Sequence, residues 1–141
     1  MNEYRYSDIK VGMEESYQTE ITEQMLEHFR EITGDINPLH CDREFAKGKG
    51  YENRVVYGML TASFLSTLAG VYLPGKNSLI YETSTKFAKP VFPGDGLTVW
   101  GIVEEKNDLF HMFTMKVAIV NQKGEKVLRG KMKVGVLDGT E

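Results

Sequence analysis

The chain has 141 residues, of which 41% are hydrophobic and 26% charged, an ordinary composition for one globular domain. Its 17 Lys and Arg residues against 20 Asp and Glu residues give a net charge of −3, which argues against a broad basic surface for nucleic acid. The single cysteine, Cys41, excludes an internal disulfide and a multi-cysteine metal site.

The chain opens with one predicted strand and one predicted helix. Residues 14–21 indicate a short strand, and residues 23–33 carry apolar side chains at helical spacing. Thr22 is a favourable N-cap for that helix, and Gly34 is a typical residue at a helix end.

The next segment predicts a turn between helices. Residues 35–42 are expected to form a non-helical turn, because Pro38 disfavours helical geometry at the residue before it. A short helix is predicted over residues 43–50. A longer helix is predicted over residues 58–73, and since it is apolar on nearly all sides we expect it to be buried.

The last part of the chain predicts strands joined by hairpins. Its β-branched and aromatic runs are separated by short polar turns. A curved antiparallel sheet wrapped around the buried helix accommodates both patterns, which predicts an α+β fold. The predicted strands cover residues 78–88, 97–105, 109–121 and 125–137.

Targeting signals are not evident in the sequence. The apolar runs fall short of the roughly 18–20 residues that cross a bilayer. The polar first residues lack the apolar centre of a signal peptide. We therefore expect a cytoplasmic protein with one domain over residues 1–141.

The segment GDINPLH, residues 34–40, carries the chemistry. It places a carboxylate (Asp35), an amide (Asn37) and an imidazole (His40) within six residues of a turn stiffened by proline. A His–Asp pair that shares one water molecule can remove a proton with one group and return it with the other. Asn37 is placed either to hold the pair or to bind the water.

A second feature is the predicted start of the long helix at Gly58. Helix N-termini present free N–H groups and partial positive charge, and a glycine there allows close approach of a ligand. Such N–H groups can bind a carbonyl oxygen that becomes negative during a reaction. Together with the acid–base turn, they indicate proton chemistry next to a carbonyl, such as addition of water to an unsaturated thioester.

These motifs resemble those of the MaoC-like (R)-specific enoyl-CoA hydratases and related 3-hydroxyacyl dehydratases. GDINPLH fits the family pattern GDxNPxH, VYGML over residues 56–60 fits VxGML, and PVFPGD over residues 90–95 fits PVxxGD. The resemblance covers about residues 1–137, nearly the whole chain.

The resemblance implies a hot-dog fold, a homodimer and an acyl tunnel near the dimer interface. It also implies that Asp35 and His40 activate water, that Asn37 positions them, and that the Gly58 N–H polarises the thioester carbonyl. Ser66 falls where some bacterial members carry a serine that supports the catalytic turn. No metal or redox cofactor is implied.

One position departs from the family pattern. Tyr57 stands where many members carry histidine, and we expect it to shape the substrate pocket. Lys86 and Lys89 are candidate contacts for the phosphates of coenzyme A, which an acidic chain must hold with a local basic patch.

The sequence thus predicts a hydro-lyase that reversibly converts trans-2-enoyl thioesters of coenzyme A or acyl carrier protein to (R)-3-hydroxyacyl thioesters. One alternative is an acyl-CoA thioesterase with the same fold. The other is a non-catalytic acyl-thioester-binding subunit of a heteromeric dehydratase. The intact GDxNPxH pattern favours the hydratase, whereas acyl-chain length, carrier and physiological direction stay open.

Overall fold

A computed structural model describes residues 1–138, so residues 139–141 of the predicted domain lie outside the described part. The described chain is α+β, as predicted, with helices packed against one antiparallel sheet. The helices are α1 (Glu23–Thr33), α2 (Pro38–Cys41), α3 (Arg43–Gly48) and α4 (Gly58–Thr67). The strands are β1 (Glu14–Glu20), β2 (Ser78–Phe87), β3 (Gly96–Asn107), β4 (Met112–Val120) and β5 (Lys126–Val136).

The predicted bounds of α1 are confirmed by its caps. The Thr22 side chain accepts a hydrogen bond from the Met25 N–H at 3.2 Å, and Gly34 ends the helix at φ +74°. A left-handed conformation of this kind favours glycine, because a Cβ atom would be strained there.

The prediction that residues 35–42 contain no helix was wrong in part. Residues Pro38–Cys41 form one helical turn, α2, in which Pro38 occupies the first position. Proline is tolerated there because the first N–H of a helix has no partner in any case. The Asn37 side chain caps the turn by accepting the Leu39 N–H at 2.9 Å.

Helix α4 lies against the inner face of the sheet and continues into a π-helical turn, Leu68–Tyr72. The helical segment packs closely against the sheet at Gly101, where an added Cβ would lie 3.0 Å from the Leu68 side chain. The expectation of a helix buried on nearly all sides was wrong for one side, since Met59, Ser63 and Ser66 are exposed.

The sheet has the order β1-β3-β4-β5-β2, with all pairs antiparallel. Strand β2 therefore forms an edge beside β5, and Phe87 at its end pairs with Leu128. The core lies between the inner face of the sheet and α4. This wrapping of a long sheet around a central helix is the expected hot-dog fold. Among residues 1–138, no helix is both long and apolar enough to cross a membrane.

Candidate active site

Local hydrogen bonds give the turn between α1 and α2 a defined shape. The Asp35 carboxylate accepts the Asn37 N–H at 3.0 Å, and the Asp35 N–H donates to the Thr33 hydroxyl at 3.2 Å. Turns of this type, in which Asp or Asn side chains bind the backbone two residues on, are common where a chain changes direction. The carboxylate is thus oriented by the backbone, while Asp35 and Asn37 both stay exposed.

The His40 ring is fixed by a backbone carbonyl. Its Nδ1 lies 2.6 Å from the Val55 carbonyl oxygen, and the Val55 N–H donates to the Leu39 carbonyl at 3.1 Å. Since a carbonyl oxygen only accepts, Nδ1 must carry the proton of this bond. In the neutral ring, Nε2 then holds the free lone pair and is the nitrogen able to accept a proton.

Tyr57 connects the two parts of the turn. Its hydroxyl donates to the Asp35 carbonyl oxygen at 2.7 Å, and its ring stacks on the His40 ring with centroids 4.3 Å apart. Tyr57 is 2% exposed, and burial, with a hydrogen bond to Cys41 as a further cause, raises the pKa of its hydroxyl above the ordinary value. The hydroxyl therefore stays protonated and remains a donor at neutral pH.

Helix α4 begins at Gly58, as predicted from the sequence. Within residues 1–138 the Gly58 N–H has no hydrogen-bond acceptor, as expected for the first N–H of a helix. A Cβ added to Gly58 would lie 3.1–3.4 Å from the Phe87 ring. A side chain at residue 58 would therefore crowd the Phe87 ring, whereas the backbone itself does not need glycine because it is not in the left-handed region.

A cavity of about 270 Å³ opens beside these groups. His40, Gly58 and Thr61 line it together with apolar side chains that include Val55, Phe87 and Val127. The structure thus brings His40 and the α4 N-terminus to one cavity. Asp35 and Asn37 lie outside its lining, and no hydrogen bond in residues 1–138 joins the Asp35 carboxylate to His40.

The remaining predicted site residues lie in different places. Ser66 is exposed on α4 and does not line the cavity, so its supporting role stays a prediction. Lys86 lines a separate groove, with five other Lys and Arg side chains, whereas the adjacent Phe87 lines the cavity. Lys89 does line the cavity, and its ammonium donates to the Glu125 carboxylate at 2.7 Å.

Two contributors to this cavity were missed by sequence reasoning. The Val55 carbonyl that orients His40 is a backbone atom, and residue type gives no sign of its position. Thr61, whose hydroxyl is buried, was not singled out as a site residue. Its spacing of three residues from Gly58, which places both on one helix face, was the available signal.

The chain is similar to proteins of one family in both sequence and structure. The model of the MaoC like domain family matches residues 7–124. An (R)-specific enoyl-CoA hydratase from Rhodospirillum rubrum is 33% identical over 93% of this chain and 90% of that protein. One from Aeromonas caviae is 37% identical over 75% of this chain and 79% of that protein. The solved R-hydratase PhaJ1 from Pseudomonas aeruginosa superposes with a TM-score of 0.90 at 29% identity, over 96% of this chain and 86% of that one.

Proposed function

Because the chain belongs to the MaoC-like family of enoyl-CoA hydratases and 3-hydroxyacyl dehydratases, we propose that it adds water reversibly to trans-2-enoyl thioesters. The product is an (R)-3-hydroxyacyl thioester of coenzyme A or of acyl carrier protein. One observation carries the proposal: the His40 ring is held through Nδ1, which leaves Nε2 free as a base, and His40 lines one cavity with Gly58, the first residue of α4. We assign the whole chain to this one activity.

The acid–base step uses the turn between α1 and α2. His40 Nε2 accepts a proton from a water molecule that the Asp35 carboxylate also binds. The hydroxide oxygen forms a bond to C3 of the enoyl group, and the pair returns a proton to C2. Asn37 keeps the pair in place, since it caps the helix that carries His40 and donates its N–H to Asp35.

The Gly58 N–H provides electrostatic stabilisation of the transition state. As oxygen adds to C3, negative charge develops on the thioester oxygen. An N–H at a helix start, with partial positive charge and no internal partner, stabilises that charge most in the transition state. Addition of water causes no net redox change, so the proposed reaction requires no redox cofactor.

We further propose that two copies of the chain form the active molecule. Strand β2 is a ten-residue edge with one neighbour, and its Leu79 and Phe87 are 44% and 52% exposed. An edge of this kind is a template for pairing with another strand. The opposite edge, β1, is shorter and carries Glu14, Glu15 and Glu20, which is typical of an edge that avoids pairing.

We assign binding of the coenzyme A phosphates to two lysines, Lys86 and Lys89. Lys89 lines the cavity itself, and Lys86 is one of the residues that line the separate cationic groove. The K89Q and K86Q variants should each raise KM for an acyl-CoA with little change in kcat, because a remote phosphate contact acts on binding. Michaelis–Menten kinetics with crotonyl-CoA measure this, and an unchanged KM removes that lysine from the proposal.

The proposed activity has a direct assay. Purified protein is mixed with crotonyl-CoA, and enoyl absorbance in the ultraviolet is followed beside a free-thiol assay. The proposal expects loss of absorbance without release of thiol, and a product of R configuration. Release of thiol identifies a thioesterase instead. No reaction with short and medium chains, followed by capture of a stoichiometric partner, identifies the non-catalytic subunit.

A further inference from the structure

The Thr61 hydroxyl is buried without a hydrogen-bond partner. Thr61 is 2% exposed, and its Oγ1 has neither a donor nor an acceptor within residues 1–138. Apart from the tyrosines of the core, it is the one buried residue in that range with a polar or charged side chain. An unpaired buried hydroxyl is unfavourable, so its presence in a folded core calls for an explanation.

Two other helical hydroxyls, those of Thr33 and Ser63, behave differently. A helical Ser or Thr usually bonds back to a carbonyl of the preceding turn. Thr33 does so, donating to the Phe29 carbonyl at 2.8 Å, and Ser63 donates to the Leu60 carbonyl at 2.6 Å. For Thr61 the corresponding carbonyl is that of Tyr57, and it receives the Thr61 N–H but not the hydroxyl. The Thr61 hydroxyl is thus left for another partner.

The position of Thr61 indicates what that partner is. Thr61 lines the cavity that also contains His40 and Gly58, and the rest of the lining is mostly aliphatic or aromatic. Thr61 follows Gly58 by three residues in α4, so the two share one face of the helix. Helical side chains lean toward the N-terminus, which directs the Thr61 side chain toward the first turn of α4.

We propose that the Thr61 hydroxyl donates a hydrogen bond to the thioester carbonyl oxygen, beside the bond from the Gly58 N–H. The inference rests on the proposed hydration reaction. When the water oxygen bonds to C3, electron density moves to the thioester oxygen, and the Thr61 bond strengthens without transfer of its proton. The hydroxyl is thus a second donor for the developing enolate.

Two substitutions separate this role from a structural one. T61V removes the hydroxyl and keeps the branched shape, whereas T61S keeps the hydroxyl. T61V should lower kcat for crotonyl-CoA by about 10-fold or more, because a donor to a developing oxyanion acts mainly in the transition state. KM should change by less than about threefold, since the bond is weak in the ground state. T61S should retain most of the wild-type kcat.

Thermal unfolding of the same proteins supplies the second readout. T61V should unfold at the same or a higher temperature, because it removes an unpaired buried hydroxyl from the unliganded protein. S63A is the matched control, since its hydroxyl already has a backbone partner in the same helix. S63A should leave kcat unchanged.

Three results overturn the inference. Wild-type kcat in T61V shows that the hydroxyl does not act in the reaction. Loss of both kcat and thermal stability in T61V shows that its role is structural. If the wild-type protein does not hydrate the substrate, the proposed function fails and this inference fails with it. If the wild type is active and T61V is equally active, only this inference fails.

Discussion

Tyr57 contacts both Asp35 and His40, the two residues of the proposed acid–base pair. Its hydroxyl binds the Asp35 carbonyl and its ring stacks on the His40 ring, while the Phe29 ring packs against the Tyr57 ring with centroids 4.8 Å apart. Because Tyr57 does not line the cavity, a role in substrate binding is less well supported than positioning of the turn. We regard it as a positioning residue.

The Y57F variant tests this role. Loss of the bond to the Asp35 carbonyl should lower kcat about 3- to 10-fold, because one neutral hydrogen bond contributes roughly 1 kcal/mol. KM should change little, since the cavity lining is intact. Y4F is the control, because it removes a hydroxyl that bonds Glu15 at 2.8 Å, away from the site. If Y57F and Y4F both retain the wild-type kcat, Tyr57 does not position the turn.

Residue patterns singled out the local residues of the proposed site and missed its contacts between residues distant in the chain. Asp35, Asn37 and His40 lie within six residues, so a turn motif reveals them together. The contact between Tyr57 and Asp35 spans 22 residues and depends on how α1 and α4 meet. Thr61 was missed for a related reason, since whether a helical hydroxyl is buried and unpaired depends on tertiary packing.

At the scale of elements, the start of α4 and the end of β2 meet at Gly58 and Phe87. The Phe87 ring occupies the space that a side chain at Gly58 would need. This contact fixes one wall of the cavity, because both residues line it. It also ties the proposed oxyanion site to the position of an edge strand.

A double-mutant cycle tests that contact. G58A should lower kcat/KM about fivefold, because displacing Phe87 costs about 1 kcal/mol. The free energy of unfolding should stay level or rise, since Ala is favoured over Gly in a helix. In an F87A background the effect of G58A should shrink. Equal effects in both backgrounds, measured by steady-state kinetics, would show that the two residues are not coupled.

Element bounds were well predicted where caps and periodicity are local, as in α1 and α3. Helix α2 was missed because proline was taken to exclude a helix, although Pro38 occupies the first position, where it is tolerated. The predicted hairpin between β2 and β3 was wrong, because β2 pairs with β5 and forms an edge of the sheet. Its partner β5 lies some 40 residues on in the chain, and hairpin signals identify only neighbouring strands.

For the whole molecule, the exposed edge of β2 is the main unpaired feature. A continuous sheet across two copies would cover it and bring a second chain near the cavity, since Phe87 belongs to both the edge and the cavity lining. Oligomeric state and activity should therefore change together.

Light scattering during size exclusion tests this expectation. The wild type should have about twice the 16.0 kDa mass of one chain. T83D, on exposed β2, should shift the protein toward the monomer and lower activity, because a carboxylate is costly to desolvate at a paired edge. S16D, on the opposite edge β1, is the control and should stay dimeric. An active wild-type monomer would contradict the expectation.

The most direct test of the proposed mechanism compares hydration of crotonyl-CoA by the wild type, D35N and H40Q. Thermal unfolding first establishes that all three proteins are folded. Both variants remove an acid–base group and preserve approximate side-chain size. Each should lower kcat by about 100-fold or more, in line with the usual contribution of acid–base catalysis, while thermal unfolding stays close to wild type. Near-wild-type turnover in either folded variant would contradict the assignment of Asp35 and His40 as the groups that activate water.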